Sequence, residues 1–264
     1  RHIYVRVNRR GESLCCVVAN AKQLPREPEL AALVRAAAPK TVGVVLNTNT
    51  RKGNVILGER YRTLWGQEFL MDTLCGLEFK LSVPSFYQVN RDQAEVLYGK
   101  ALEFAGLTGT ETVLDLYCGT GTITLCLAKR AGRVIGAEIV EPAIEDAREN
   151  AARNGIQNAE FFCGDAAEVA AKLEREGLRP HVITVDPPRK GLNPAVIGSI
   201  AAMNPDRVVY VSCDPATLGR DVKLFAGLGY QAVRACAVDM FPATCHVETV
   251  VLLSKLNTKQ HIEV

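Results

Sequence analysis

Apolar and polar positions along the chain follow two regimes that meet near residue 84. Upstream, "IYVRVN", "SLCCVVA", "TVGVVLNTN", "NVILG" and "EFKLSV" are short apolar or β-branched runs separated by Gly or Asn, which predicts strands. One stretch has helical period instead. After Pro28, residues Leu30, Leu33, Val34 and Ala37 share a face, which predicts a helix over 29–38. Strands in succession with a single helix predict a small α+β domain over 1–83 with a mostly antiparallel sheet.

Downstream, Ala94, Leu97, Tyr98, Ala101 and Leu102 recur at helical spacing from Arg91 onward. The runs "TVLDLYC", "RVIGAEI", "AEFFCGD", "HVITVDPP" and "RVVYVSC" follow, with room for one helix between each. They are almost continuously apolar, as strands are when helices cover both faces of a parallel sheet. The alternation predicts a doubly wound, mostly parallel sheet. "YQAVRACAVDMF" and "HVETVVLLSKL" have no helix between them and predict an antiparallel pair finishing that sheet. The second domain is expected over 84–264.

Composition adds exclusions. The 264 residues are 48% hydrophobic and 23% charged, an ordinary globular balance. No apolar run approaches the roughly 18 residues that cross a bilayer. The opening "RHIYVRVNRR" alternates rather than forming the apolar block of a signal peptide. A formal charge of +2 neither demands nor excludes a nucleic-acid partner. Nine cysteines, an odd number with no C-x-x-C pair, argue against a disulfide framework and a zinc ribbon. They fit a reducing cytoplasm, the expected location. Arg1 falls directly into a strand pattern with no initiator Met, so a fragment of a longer chain is expected.

Ligands of open α/β sheets bind outside the carboxyl ends of the strands. Those ends carry Asp115 with Cys118-Gly119-Thr120-Gly121, then Glu138, Asp165, Asp186-Pro187-Pro188-Arg189, and Ser212-Cys213-Asp214. Acids at successive strand ends point to one polar crevice. "DLYCGTGTIT" follows a strand and opens a helix, and Gly119 and Gly121 allow close backbone approach to a ligand, with Thr122 next in the loop. The third glycine of a dinucleotide fingerprint is replaced by Thr124, and Asp115 would repel a pyrophosphate. A cationic ligand without phosphate, such as S-adenosylmethionine, fits better. Glu138 lies 23 residues after Asp115, where an acid accepts from ribose hydroxyls. Asp165 could accept from an adenine amino group. Each acid could instead cap the next helix. The two prolines of "DPPRKG" fix φ and hold Asp186 over the crevice. Methyltransferases of amino groups usually carry an aromatic residue where Arg189 stands, so the target need not be an exocyclic amine. Cys213 ends a strand where the backbone turns; alone it could be a small core residue.

These motifs together resemble the uracil-5 RNA methyltransferases, most closely the branch acting on bacterial 23S ribosomal RNA. The resemblance rests on "SFYQVN" (85–90), "DLYCGTG" (115–121), "GAE" (136–138), "DPPRKG" (186–191), "VYVSCDPATLGRD" (209–221) and "FPATCHVETVVLL" (241–253), in family order across 84–254. It implies a Rossmann-like S-adenosylmethionine-dependent domain in which Gln88, Tyr117, Glu138 and Asp186 line the donor site, with Asp165 contributing. Cys213 then corresponds to the nucleophile and Glu248 to the base, and Asp186 helps position uracil and donor. Uracil carbon 5 is a poor nucleophile, so the chemistry needs a thiolate adding at carbon 6 and a base removing the carbon-5 proton. A helix beginning near Pro215 would lower the Cys213 pKa and the nearby acids would raise it, so the sequence leaves the net direction open.

Ribosomal members of the family usually begin with a small RNA-binding β-barrel and hold an iron–sulfur cluster on four cysteines. No suitable cysteine cluster stands here, so no metal is expected in this chain, although a longer parent chain could carry one. The expected partner is RNA, with 23S ribosomal RNA preferred and transfer RNA the alternative. The small domain would contact it, and the protein would act as a monomer. An RNA-binding scaffold without catalysis is disfavoured by the presence of both Cys213 and Glu248. A nicotinamide-dependent oxidoreductase is disfavoured by the missing third glycine.

Overall fold

A computed structural model of the chain describes residues 1–255. The end of the expected 84–264 domain, 256–264, lies outside them. The backbone forms two compact units that divide between Tyr87 and Gln88.

In the first unit, β1 (His2–Val7), β2 (Ser13–Ala19), β3 (Thr41–Thr48) and β4 (Arg60–Gly66) form one sheet in that order. Only β2 and β3 pair in parallel. Parallel neighbours need a crossover, and α1 (Glu27–Ala37) supplies it. A separate hairpin, β5 (Phe69–Leu74) with β6 (Leu77–Ser82), adds Leu70 to a core containing Leu14, Cys16, Val18, Val45 and Val83.

The expected strand "NVILG" is absent. Two buried asparagines take its backbone instead: Asn49 Nδ2 donates to the carbonyls of Val55 and Ile56, and Asn47 exchanges hydrogen bonds with Gly58. With those groups engaged by side chains there is no ladder to join, and Val55 and Ile56 remain exposed. The strand of this region begins two residues after Gly58, at Arg60, and is largely exposed, so its sequence carries no apolar alternation.

The second unit opens with α2 (Arg91–Ala105), capped by Asn90, whose side chain accepts from Gln93 N. Strands and helices then alternate: β7 (Thr112–Leu116), α3 (Thr122–Ala128), β8 (Arg133–Glu138), α4 (Glu141–Arg153), β9 (Ala159–Cys163), α5 (Ala166–Arg175), β10 (Val182–Val185), α6 (Pro194–Met203), β11 (Arg207–Ser212) and α7 (Pro215–Gly227). β12 (Tyr230–Val238) and β13 (Glu248–Lys255) complete a seven-stranded sheet of order β12-β13-β11-β10-β7-β8-β9. The pairs among β7 to β11 are parallel, and β13 runs antiparallel to both β11 and β12. Val113, Leu114, Ile183, Val185, Val208 and Val209 are fully buried, which is why these strands read as unbroken apolar runs. The chain builds outward from β7 to β9 and returns to β10, so the crevice at the carboxyl ends of β7 and β10 is the switch point where ligands bind in such sheets. Among the described residues no helix is long and apolar enough to cross a membrane.

Candidate active site

The glycine loop after β7 is held from below by a buried carboxylate. Asp115 accepts hydrogen bonds from Thr124 Oγ1 at 2.5 Å and Thr184 Oγ1 at 2.6 Å, joining β7, α3 and β10 at the switch point. Burial, only partly offset by these bonds, pushes it up to about 6. Thr124, in the place of the third glycine, is thus committed to this brace. Above it Tyr117 adopts a left-handed φ of 68°, uncommon for a bulky residue and a form of strain that clusters at functional sites. Burial chiefly, then the Asp165, Asp221 and Glu138 carboxylates, raises its phenol to about 12, so it remains a hydrogen-bond donor.

Gly119 and Gly121 both have positive φ, and Gly119 N–H donates to Glu138 Oε2 at 3.2 Å. Glu138 Oε1 accepts from Val140 N, so the strand-end acid ties the loop to β8 and retains lone pairs for a ligand hydroxyl. Among the described residues, a Cβ placed on Gly119 would meet nothing within 4 Å, and Thr120 Oγ1 is buried without a hydrogen-bond partner. Open space at Gly119, next to the Glu138 carboxylate, suits a bound nucleoside, and the surrounding carboxylates suit a cationic one without phosphate. Thr122 lies 3.2 Å from Tyr98 OH across the α2–α3 contact. Asp165 is exposed and caps α5 by accepting from Ala167 N, the alternative weighed for it from sequence. Gln88 is buried immediately ahead of α2.

The second half of the site lies on β10, β11 and β13. Ser212, the last residue of β11, pairs with Thr249, and Val238 pairs with Glu248. The antiparallel register therefore sets Cys213, one residue beyond Ser212, beside Glu248 at the start of β13. Asp186 follows Val185, which pairs with Tyr210 of β11. Asp186 is raised to about 8, by burial first and then by the Glu248 and Asp115 carboxylates, so it holds its proton through neutral pH. Glu248, 7% exposed, is raised by burial, with the Arg189 guanidinium opposing. The Cys213 thiol, half-buried, is also raised: burial and the Glu248 and Asp186 charges outweigh Arg189 and a backbone hydrogen bond. The direction left open by the sequence is therefore upward. Among the described residues neither the Asp186 nor the Glu248 carboxylate accepts a hydrogen bond, and no three His, Cys, Asp or Glu side chains form a metal-ligand group.

Sequence reasoning placed Ser212, Asp214 and "TLGRD" in a strand-end motif but gave them no part in fixing these loops. Asp214 caps α7 by accepting from Ala216 N and Thr217 N, while Ser212 Oγ bridges the intervening turn. Asp221, fully buried, accepts from Leu192 N at 2.7 Å, Tyr210 OH at 2.7 Å and Arg220 Nε at 2.8 Å. Arg220 and Thr217 donate to the carbonyls of Lys190 and Arg189. The α7 segment "TLGRD" thus clamps the "DPPRKG" backbone to the Cys213 turn. The available signal was an acid and an arginine one turn inside an otherwise apolar helix face.

A sequence model of the tRNA (uracil-5-)-methyltransferase family matches residues 30–256. Uncharacterized RNA methyltransferases of Halalkalibacterium halodurans and Clostridium acetobutylicum are 46% and 45% identical over 258 residues, 97% of this chain. The chain spans 56% of the length of each of these relatives. A solved Pyrococcus abyssi tRNA (uracil-54, C5)-methyltransferase in complex with S-adenosyl-L-homocysteine is 33% identical, with a TM-score of 0.79 over 95% of this chain and 59% of that one. An Agrobacterium tumefaciens SAM-dependent methyltransferase, 17% identical with a TM-score of 0.59, covers 96% of this chain and 90% of its own, a likeness of fold. The strand-end acids, the glycine loop and the Cys213–Glu248 pair therefore stand on a methyltransferase fold, and the chain belongs to the tRNA (uracil-5-)-methyltransferase family.

Proposed function

We propose that the chain carries the catalytic domain of an S-adenosylmethionine-dependent RNA methyltransferase acting on carbon 5 of a uridine. The observation that carries this reading is the β11–β13 register, which sets the Cys213 thiol beside the Glu248 carboxylate at the ligand-binding end of the sheet. S-adenosylmethionine, when bound, supplies an electrophilic methyl group. Glu138, Tyr117, the Gly119–Thr122 loop, Gln88, Asp165 and Asp186 would hold it.

The thiolate form of Cys213, a minority at neutral pH because its surroundings raise the thiol, adds to carbon 6 of the uracil, and the ring electrons move onto the carbon-4 oxygen as an enolate. Carbon 5 thereby becomes the nucleophile that would take the methyl group, the methyl–sulfur bond of the donor breaking to leave the neutral thioether S-adenosylhomocysteine. Glu248 as carboxylate then accepts the carbon-5 proton, the carbon 5–carbon 6 double bond reforms, and the thiolate leaves. Asp186, protonated at neutral pH, can donate a hydrogen bond to a ring carbonyl. Presenting the ring to these groups requires the base to leave its stack.

The sequence motifs favour 23S ribosomal RNA as substrate. Transfer RNA is the second reading, favoured by the identity to the Pyrococcus abyssi enzyme. Residues 1–83 would serve as an RNA-contacting domain, and the protein would work as a cytoplasmic monomer.

Glu248→Gln tests the order of steps. Because proton removal follows both thiol attack and methylation, the variant should accumulate RNA bonded to Cys213. The adduct should survive denaturing electrophoresis and vanish when Cys213→Ala is added. A folded, inactive Glu248→Gln variant with no adduct on either RNA would overturn the assignment, and the RNA that yields adduct identifies the substrate.

A further inference from the structure

The formal charge of +2 conceals a division between the units. Arg1–Tyr87 holds 13 Lys and Arg against 7 Asp and Glu, whereas the whole chain holds 31 against 29. The first unit is therefore strongly cationic and the catalytic unit is net acidic. Part of the cationic surplus lines a cavity of about 360 Å³ in the first unit, walled by Lys22, Asn49, Thr50, Arg51, Glu59 and Arg60.

The cavity rim is preformed. Asn47 and Asn49, both fully buried, hold the 51–60 segment through Gly58, Arg60, Val55, Ile56 and Arg51 backbone groups. Gly58 lies so close that a Cβ there would stand 2.1 Å from the Thr48 carbonyl oxygen, and an Arg51–Glu59 ion pair closes the loop. Arg51 thus answers the one acid in the wall. Among the described residues the side chains of Lys22 and Arg60 in the wall, and of Lys52 next to Arg51 in the same loop, have neither an ion pair nor a hydrogen bond. Arg62, by contrast, is committed to Glu27. Uncompensated cations around a rim whose backbone is already ordered can receive an anion without a further ordering cost.

We propose that this asparagine-braced loop, with Lys22, Lys52 and Arg60 as its contacts, docks backbone phosphates of the RNA substrate. The proposal rests on the reading that the chain acts on RNA. Contacts of this kind set register and affinity rather than base identity. Each phosphate neutralised releases counterions, so its loss lowers the salt dependence of binding by about 0.7 per contact on single strands.

The test is fluorescence-anisotropy titration of the 264-residue chain with a uridine-containing RNA over a series of salt concentrations. The Lys22→Ala, Lys52→Ala, Arg60→Ala triple variant should bind roughly tenfold more weakly at low salt, with the slope of log K against log salt reduced by about two. Its circular dichroism and S-adenosylmethionine affinity should match the parent. The charge-conserving variant Lys22→Arg, Lys52→Arg, Arg60→Lys should keep both affinity and slope. An unchanged slope in the alanine variant overturns the docking site while leaving uracil methylation standing. Loss of inorganic-phosphate binding with RNA binding intact would also overturn it, in favour of a small-anion site. A parent chain that binds no RNA at all would instead sink the RNA reading itself.

Discussion

Asp115, in β7, and Asp186, just beyond the neighbouring β10, are both raised by burial, yet their hydrogen bonding differs. Asp115 receives two threonine hydroxyls, and on the same side Glu138 and Asp165 receive backbone N–H groups. Across the switch point, Asp186 and Glu248 receive none among the described residues, and burial raises both. In one half of the crevice the acids are held by hydrogen bonds, suited to positioning a molecule. The other keeps its acids short of partners, where proton exchange with a substrate can satisfy them. The thiol lies in the second half.

Cys213→Ala should produce the largest effect and divide the halves most sharply. Methyl incorporation into RNA should fall by roughly 10⁴-fold or more, while S-adenosylmethionine affinity measured by calorimetry stays within about threefold. A parallel collapse of donor affinity would show that the halves are not separate.

The carboxylates themselves should respond with opposite signs. Asp115→Ala strands two buried hydroxyls, at a cost of about 1–3 kcal/mol each, seen as a lower urea midpoint. Asp186→Asn should stabilise. Native Asp186 keeps its proton up to about pH 8, whereas an unfolded chain releases it near ~3.9. The unfolded state thus binds fewer protons across that window, and stability falls as pH rises through it. The Asn variant should lose this fall, gaining most over the parent at the alkaline end. Equal stability of parent and variant at both ends would remove the contrast.

The smallest effect should be on thiol reactivity. Alkylation of Cys213 by iodoacetamide, followed by mass spectrometry of its peptide, should be slower at neutral pH than for an exposed cysteine, because the thiolate is the reacting form. Glu248→Gln removes one of the negative neighbours and should speed it several-fold. No acceleration would separate Glu248 electrostatically from the thiol.

Legibility from sequence followed burial. The central strands could be read because both their faces are covered, so the apolar signal is continuous. β4 escaped because most of its residues are exposed, and "NVILG" misled because the side chains of two nearby asparagines, Asn47 and Asn49, hold its backbone. Strand-end residues such as Asp186 and Cys213 could be marked as candidates from the parallel alternation alone. Glu248 could not: it is an acid opening an edge-like pair, and its meeting with Cys213 depends on an antiparallel register that no local pattern encodes. The Asp221 clamp stayed hidden for the same reason, since its partners come from three separate segments. The charge division between the units was present in the sequence but cancelled in the total.

The place of β13 in the sheet bears on how the protein is made. Lying between β12 and β11, it is the last described strand to leave the ribosome and must insert between two strands already synthesised. Until it does, the Cys213 turn faces a sheet without its carboxylate neighbour. On the proposed mechanism, a chain lacking β13 would carry the attacking Cys213 without the Glu248 that releases the product.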